Sequence, residues 1–140
     1  MSSDIPTKRW AVAVTVDQGR FSFLRETVPS ATAPLDSTSL SPVEYLLVAA
    51  GGCLAYSIQA AITARHMPFT WVTVNAIGEK APDNPSRVQH LKLSVSLGEP
   101  LTDPNMERVL EDAKRMCTVT NTLGAAPTVD VQVLRQAVRV

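Results

Sequence analysis

The stretch SPVEYLLVAAGGCLAYSIQAA, residues 41–61, constrains the fold more than any other part of the sequence. Three signals predict that a helix begins at Ser41: serine is a preferred N-cap, Pro42 takes the first helical position, and Glu44 completes a capping box. The apolar run predicts that this helix continues to about Arg65. Alanine, glycine and serine occupy much of its length, so we expect it to pack closely against a neighbour.

Two adjacent glycines, Gly51 and Gly52, directly precede Cys53 inside this helix. A glycine in a helix interior costs about 1 kcal/mol relative to alanine, so another contact must offset the cost. The sequence leaves two explanations open. Either a neighbouring helix packs against the glycines, or a substrate approaches Cys53 closely.

The rest of the sequence predicts five strands and one further helix. Residues 10–16 and 20–28 alternate around the turn sequence Asp17-Gln18-Gly19, which predicts a β-hairpin, and a long loop rich in Pro, Ser and Thr follows at 29–41. Further strands are predicted at 70–79, 90–97 and 128–138. Between the last two, Asp103-Pro104 caps a helix whose apolar stripe includes Cys117 and which closes within residues 118–127. The order ββ-α-ββ-α-β predicts an α+β fold.

Length and charge narrow the classes of function. The 140 residues indicate a single domain, 1–140, with residues 1–9 as a flexible N-terminus. The formal net charge is zero, which leaves nucleic-acid binding without an electrostatic basis. The longest apolar run, 45–58, is shorter than the roughly 20 residues of a membrane span, and no signal peptide is evident. We therefore expect a soluble, cytoplasmic protein with two free or redox-active cysteines and, with two histidines and no Cys-x-x-Cys, no metal site.

Two motifs resemble those of the OsmC/Ohr family, the osmotically inducible protein C and organic hydroperoxide resistance proteins. SPVEYLLVAAGGCLA resembles the family's helix start of Pro-x-Glu-Leu-Leu type that runs into Gly-Gly-Cys, and AKRMCTVTNTL resembles its second-cysteine motif. The resemblance covers nearly the whole chain from Trp10 onward. It implies an intertwined homodimer with two active sites at the subunit interface, and thiol-dependent reduction of organic hydroperoxides.

The motif match implies roles for both cysteines. Cys53 is the peroxidatic residue, which attacks the O–O bond and becomes a sulfenic acid, and Cys117 is the resolving residue, which condenses with it. The resemblance further implies that an external dithiol such as dihydrolipoamide reduces the disulfide, with no bound cofactor. Apolar residues near Cys53 favour alkyl or lipid peroxides over hydrogen peroxide as substrates: Leu46, Leu47, Val48, Leu54 and Tyr56.

A peroxidatic cysteine must react as its thiolate, so a cation or hydrogen-bond donor is expected nearby. No charged residue occurs between Glu44 and Arg65, so the cation must come from another part of the fold. The family places an arginine near the end of the first hairpin turn, held by a glutamate. Arg20 is the predicted residue and Arg25 the alternative, while both are also compatible with solvated charges on a strand.

Two positions depart from the family pattern. The usual glutamate position is Val43 here, and Glu44 stands one place later, nine residues before Cys53. Because one residue turns a helical side chain by about 100°, the capping role explains Glu44 more simply than a catalytic one, which stays the second possibility. Thr118 replaces the common proline after the resolving cysteine and restrains the backbone less.

Two other classes of function compete with a peroxidase. One is a non-catalytic dimer of the same fold that binds a small apolar ligand, with Cys53 and Cys117 merely packed in the core. The other is a hot-dog-type thioesterase, whose strands also wrap a long helix. The predicted helix that starts at Asp103 argues against the thioesterase.

Overall fold

The structure is a computed structural model in which residues 8–26, 40–99 and 101–124 are described, together with the backbone of 128–134. Its elements in chain order are β1 Arg9–Asp17, β2 Arg20–Arg25, α1 Pro42–Ala64, β3 Trp71–Lys80, β4 Val88–Leu97, α2 Asp103–Met116, α3 Thr118–Leu123 and β5 Thr128–Leu134. The predicted α+β class and element order are confirmed, with α3 as an addition. Most of the predicted N-terminal tail and of the predicted loop at 29–41 lies outside the described residues.

The strands form one sheet in the order β2-β1-β3-β4-β5. The first four strands pair antiparallel, and β5 runs parallel to β4. The predicted hairpin joins β1 and β2 through Gln18 and Gly19, which both have positive φ, at 49° and 77°. Two left-handed residues give a turn whose twist matches that of the flanking strands, which is why glycine suits this position.

Helix α1 lies across one face of the sheet and forms the centre of the core. The predicted capping box is confirmed: the Ser41 hydroxyl accepts from the Glu44 N–H at 3.3 Å, and the Glu44 carboxylate accepts from the Ser41 N–H at 3.0 Å. By length and composition α1 would also qualify as a membrane span, but most of its apolar stretch is buried inside the fold. It is therefore the core helix of the domain.

The two glycines of α1 pack against strands. A Cβ atom on Gly51 would lie 3.1 Å from Val14 Cγ2 on β1 and 3.5 Å from the Cβ of Ala76 on β3. A Cβ atom on Gly52 would lie 2.5 Å from the ring of Phe21 on β2. Within the described chain the sheet makes the close approach to these glycines, rather than the neighbouring helix of the first sequence-based explanation. The second explanation, a substrate close to Cys53, stays a prediction.

The second predicted helix is observed as α2, and the short helix α3 follows it within the segment that was predicted to close it. Helix α2 begins at Asp103, one residue earlier than a cap at Asp103 would place it, because the N-cap is Thr102, whose hydroxyl accepts from the Asn105 N–H at 3.4 Å. It ends at Met116, since Cys117 has an extended ψ of 92°, and α3 starts directly afterwards. This break places Cys117 at a corner between two helices, where it remains in the core together with Val109 and Ala113 of the predicted apolar stripe.

An ion pair ties α2 to the end of α1. Asp112 lies 2.5 Å from the guanidinium of Arg65, which follows α1 as its C-cap, and also 2.5 Å from Arg115. Both arginines, Arg65 first, hold the pKa of Asp112 below its usual value. This contact fixes the helix that leads into Cys117 against the helix that carries Cys53.

Candidate active site

Cys53 lies on α1, Cys117 lies at the corner between α2 and α3, and both are free thiols. Cys53 lies in the middle of α1 and is half-buried, whereas Cys117 has no exposed surface. Burial raises the pKa of the Cys117 thiol, and the nearby Cys53 thiol raises it further. The hydroxyl and N–H of Thr120 act in the opposite direction and lower the pKa of Cys117. The structure thus brings together the two cysteines that the sequence motifs single out.

Aromatic rings lie beside Cys53. The Phe21 ring rests on Gly52, stacks on Tyr56 with centroids 5.9 Å apart and planes 7° apart, and meets Phe23 at 6.0 Å. Phe21 and Tyr56 remain 40% and 45% exposed, so this stack forms surface rather than core. The thiol therefore lies next to an accessible apolar surface, which suits an organic rather than a strongly hydrated reactant.

The apolar wall expected around Cys53 is only partly present. Leu47 and Leu54 are at most 1% exposed and belong to the core between α1 and the sheet, so they do not line a surface beside the thiol. Tyr56 is exposed on the same turn of helix as Cys53, and Phe21 joins it from β2. The accessible apolar surface is thus aromatic and comes from two elements.

The arginine that pairs with Glu44 is Arg25. Its guanidinium binds both carboxylate oxygens, through Nε to Oε2 and through Nη2 to Oε1 at 2.8 Å. The Glu44 side chain is 7% exposed and that of Arg25 is 27% exposed. The Arg25 hydrogen bond, more than any other contact, lowers the pKa of Glu44, and it raises the pKa of Arg25 in return. Glu44 therefore caps α1 and holds an arginine at the same time.

Strand alternation explains why Arg25 and not Arg20 reaches this glutamate. In the β1–β2 register, Phe21 pairs with Val16, Phe23 with Val14 and Arg25 with Val12. Paired residues share a face of a sheet, and Val14 contacts α1, so all three of these β2 side chains point toward the helix. Arg20 is out of phase with them, on the opposite face, and is exposed beside the turn. The structure thus places the alternative, Arg25, at Glu44, while the role of either arginine in activating Cys53 stays a prediction.

The Arg25–Glu44 pair does not lie at the level of Cys53 along α1. Nine residues separate Glu44 from Cys53, a helical rise of about 13 Å. Strand β2 runs antiparallel to this part of the helix, with Phe21 at Gly52 and Arg25 at Glu44. Within one chain the β2 side chain beside Cys53 is therefore the Phe21 ring. The Arg25 guanidinium lies instead at the start of α1, next to Glu44.

Histidine contributes no metal-binding cluster to the described part of the chain. His66 and His90 are both exposed, on the turn after α1 and on β4 respectively. Among the described residues no group of three or more His, Cys, Asp or Glu side chains is placed to hold a metal ion.

The sequence-based predictions missed Phe21 and Thr120 as neighbours of the cysteines. Phe21 could have been found from its phase, because it alternates with Phe23 and Arg25 along one strand. Thr120 carries no comparable signal. Its proximity to Cys117 depends on the helix break, which the apolar periodicity of the region hides.

Comparisons with known proteins identify the family and the fold. A family model described as OsmC-like protein matches residues 35–132. No curated protein sequence matches the chain. Solved structures show the same fold at low identity. An OsmC-like protein from Mycoplasma pneumoniae has a TM-score of 0.62 and 14% identity, over 97% of this chain and 99% of that chain.

Two further solved structures are named for hydroperoxide resistance. An OsmC-like hydroperoxide resistance protein from Jannaschia sp. CCS1 has a TM-score of 0.59 and 16% identity, over 94% of each chain. The organic hydroperoxide resistance protein OhrB of Bacillus subtilis has a TM-score of 0.55 and 11% identity, over 89% of this chain and 97% of that chain. At these identities the similarity shows a shared fold.

Proposed function

The chain belongs to the OsmC-like protein family, and we propose that it is a thiol-dependent peroxidase for organic hydroperoxides. The observation that carries the proposal is the approach of two free thiols, one on α1, half-buried beside aromatic rings, and one fully buried at the corner between α2 and α3. Family membership and the names of structurally similar proteins support a role in the response to peroxides.

The proposed reaction has three balanced steps. The Cys53 thiolate attacks the terminal peroxide oxygen, the O–O bond breaks, and an alcohol leaves as Cys53 becomes a sulfenic acid. The Cys117 sulfur then attacks the Cys53 sulfur, the S–O bond breaks, and water leaves as a disulfide forms. An external dithiol of the dihydrolipoamide type reduces the disulfide and becomes oxidised itself. A reducing compartment such as the cytoplasm keeps both thiols free between turnovers.

The Arg25–Glu44 pair serves this reaction as an electrostatic partner supplied by a second copy of the chain. Arginine retains its charge and presents several donors, so it favours a thiolate close to it. Within one chain a helical rise of about 13 Å separates Glu44 from Cys53. A homodimer removes this separation if the two α1 helices pack antiparallel, since the start of one helix then approaches the middle of the other.

The surface of α1 supports such a dimer. Tyr45 and Tyr56 are 43% and 45% exposed although both stand on the core helix. Together with two exposed alanines they follow helical spacing along one stripe: Tyr45, Ala49, Tyr56 and Ala60. Small residues between aromatic ones permit close approach of a second helix, and burial of an exposed apolar stripe favours association.

Peroxide consumption tests the proposal directly. Purified protein with excess dithiol is expected to consume cumene hydroperoxide or tert-butyl hydroperoxide, and Cys53→Ser is expected to abolish turnover. Without dithiol, one equivalent of peroxide should remove two hydrogens from the wild-type mass as the disulfide forms. Cys117→Ser should instead accumulate a sulfenic acid that dimedone traps. Unchanged turnover in Cys53→Ser would remove the mechanism, and ligand binding without turnover in the wild type would favour the non-catalytic alternative.

A matched pair of arginine variants tests which arginine supplies the positive charge that activates Cys53. Arg25→Gln is expected to slow the reaction of Cys53 with peroxide, whereas Arg20→Gln, on the opposite face of β2, is expected to react at the wild-type rate. The reverse result would restore Arg20, the residue chosen from the sequence.

A further inference from the structure

The corner at Cys117 is held by side chains of α3. The Cys117 carbonyl accepts from the Asn121 N–H at 3.0 Å and from the Thr120 hydroxyl at 3.3 Å. The Asn121 side-chain amide also donates to the Arg115 carbonyl at 3.0 Å, across the break between α2 and α3. These bonds restrain the backbone around a cysteine that is followed by Thr118 and lacks the restraint of a proline.

Thr120 differs from its neighbours in being buried. It is 9% exposed, while Thr118, Asn121 and Thr122 are exposed. A buried hydroxyl needs an acceptor, and two lie within reach of Thr120: the Cys117 carbonyl, to which it donates, and the Cys117 sulfur. A thiolate is a stronger acceptor than a neutral carbonyl, because hydrogen bonds to charged groups are about twice as strong as neutral ones.

We propose that Thr120 is a positioning residue for Cys117, which directs its sulfur toward Cys53 and donates a hydrogen bond to that sulfur as it loses its proton. This inference deepens the proposed function, because it concerns the attack of Cys117 on an oxidised Cys53. When Cys117 ionises, the hydroxyl turns from the carbonyl to the sulfur. The carbonyl keeps the Asn121 N–H as its donor, so no buried group is left without a partner.

Among the described residues, the Thr120 hydroxyl is the hydrogen-bond donor beside Cys117 that can change its acceptor, because the charged groups nearby do not take that role. The titratable group on α1 that affects it is Cys53, whose effect raises the pKa of Cys117. Helix α3, TVTNTL, contains no acid or base. On α2 the nearest charged side chains, Lys114 and Arg115, are exposed, and Asp112 is paired with arginines.

A chromogenic disulfide tests the proposal without any peroxide. Reaction of Cys53 with 5,5′-dithiobis(2-nitrobenzoate) releases one thionitrobenzoate and leaves a mixed disulfide on Cys53. The Cys117 thiolate then attacks the Cys53 sulfur, the mixed S–S bond breaks, and a second thionitrobenzoate leaves as the Cys53–Cys117 disulfide forms. The rate of the second release measures the attack by Cys117 alone, so its outcome is separate from that of the peroxidase proposal.

Three variants give the readout. Thr120→Val keeps the shape but removes the hydroxyl, and is expected to slow the second release by roughly tenfold at neutral pH, the size of one hydrogen bond to a charged group. Its rate should also rise at a higher pH than in the wild type, because the Cys117 thiolate loses a donor. Thr120→Ser should restore both the rate and the pH profile. Thr122→Val removes the equivalent bond, from the Thr122 hydroxyl to the Thr118 carbonyl at 2.8 Å, on the exposed side of the same helix and should match the wild type.

Two outcomes would overturn the inference. One is a second release in Thr120→Val with wild-type rate and pH profile. The other is a wild type that releases a single thionitrobenzoate, because Cys117 would then not be directed at Cys53. A loss of rate in Thr120→Val with an unshifted pH profile and no rescue by serine would reduce Thr120 to a packing role.

Discussion

The Phe21 ring lies so close to Gly52 that a Cβ atom there would stand 2.5 Å from ring carbon Cε2. No ordinary side-chain contact is that short, so the ring must move if residue 52 is anything but glycine. The same ring stacks on Tyr56 and therefore joins β2 to the exposed side of α1, next to Cys53. Glycine at position 52 lets an aromatic side chain of the hairpin lie beside the candidate nucleophile.

A double-mutant cycle measures this contact. In a Phe21→Ala background, Gly52→Ala should stabilise the protein by about 1 kcal/mol, the gain in helix propensity, because no ring obstructs the new methyl group. In the wild-type background the displaced ring should cancel most of that gain. Urea unfolding of the four proteins gives the coupling free energy.

Gly51→Ala supplies the control for this cycle. Its methyl group would meet Val14 rather than Phe21, so its effect on the unfolding free energy should be the same in both backgrounds. Equal effects of Gly52→Ala in both backgrounds would show that Phe21 does not rest on Gly52 in solution.

Acid should weaken the fold through Glu44. Its pKa is lowered, chiefly by the Arg25 hydrogen bond, so its ionised form stabilises the folded state. That contribution is complete above the unfolded pKa of about 4.3 and is lost as the pH falls through the lower folded value. Glu44→Gln removes the titration while glutamine still completes a capping box, so its unfolding free energy should vary less with pH below about pH 5. Unfolding in urea between neutral and acid pH provides the measurement.

Asp112 contributes to the same acid range and must be separated from Glu44. Its pKa is also lowered, by Arg65 and then Arg115, so its stabilising effect disappears on acidification with the same sign. Asp112→Asn should therefore remove a separate part of the pH dependence, and the double variant should remove both. A Glu44→Gln protein with the full wild-type pH dependence would contradict the buried ion pair with Arg25.

The hairpin and the capping box show what the sequence could predict. Both are local: Gln18-Gly19 between alternating strands and Ser41-Pro42 before Glu44 have their partners within a few residues. Local hydrogen bonds and backbone preferences determine such elements whatever the rest of the chain does. The resemblance to the family singled out the two cysteines, and the structure brings these together.

The choice between Arg20 and Arg25 shows where the sequence was not sufficient. The resemblance to the family favoured Arg20, near the hairpin turn, but the face of β2 on which a side chain lies depends on its phase relative to Phe21 and Phe23, and Arg25 is in phase to reach Glu44. The break at Cys117 was not predicted either, although the hydrogen bonds around it are local. An apolar periodicity continues through it, while the backbone turns so that α3 can hydrogen-bond to the Cys117 and Arg115 carbonyls.

The two thiols should differ in their reactivity toward alkylating agents. At neutral pH iodoacetamide is expected to modify Cys53, which is half-buried, well before Cys117, which has no exposed surface and whose pKa is raised by burial. Peptide mass spectrometry of the native and the urea-unfolded protein gives the order of modification. Native Cys53→Ser protein should stay unmodified over the same period. Equal modification of both cysteines in the native wild type would contradict the burial of Cys117.

Complementation between an inactive variant, Cys53→Ser, and a slowed one, Arg25→Gln, decides whether Arg25 acts on Cys53 of its own chain or of a second copy. Cys53→Ser keeps the arginine and lacks the nucleophile, while Arg25→Gln keeps the nucleophile and lacks the arginine. If the pair acts across a dimer, mixing and refolding both variants creates mixed dimers with one complete site. Random pairing of equal amounts makes half of the dimers mixed, each with one of two sites intact, so about a quarter of wild-type peroxidase activity should return. Two Arg25→Gln samples, treated in the same way, control for refolding. If the mixture shows no more activity than its parts while both variants dimerise, Arg25 does not act across the dimer, and the about 13 Å of helix between Glu44 and Cys53 would then argue against any electrostatic role for Arg25.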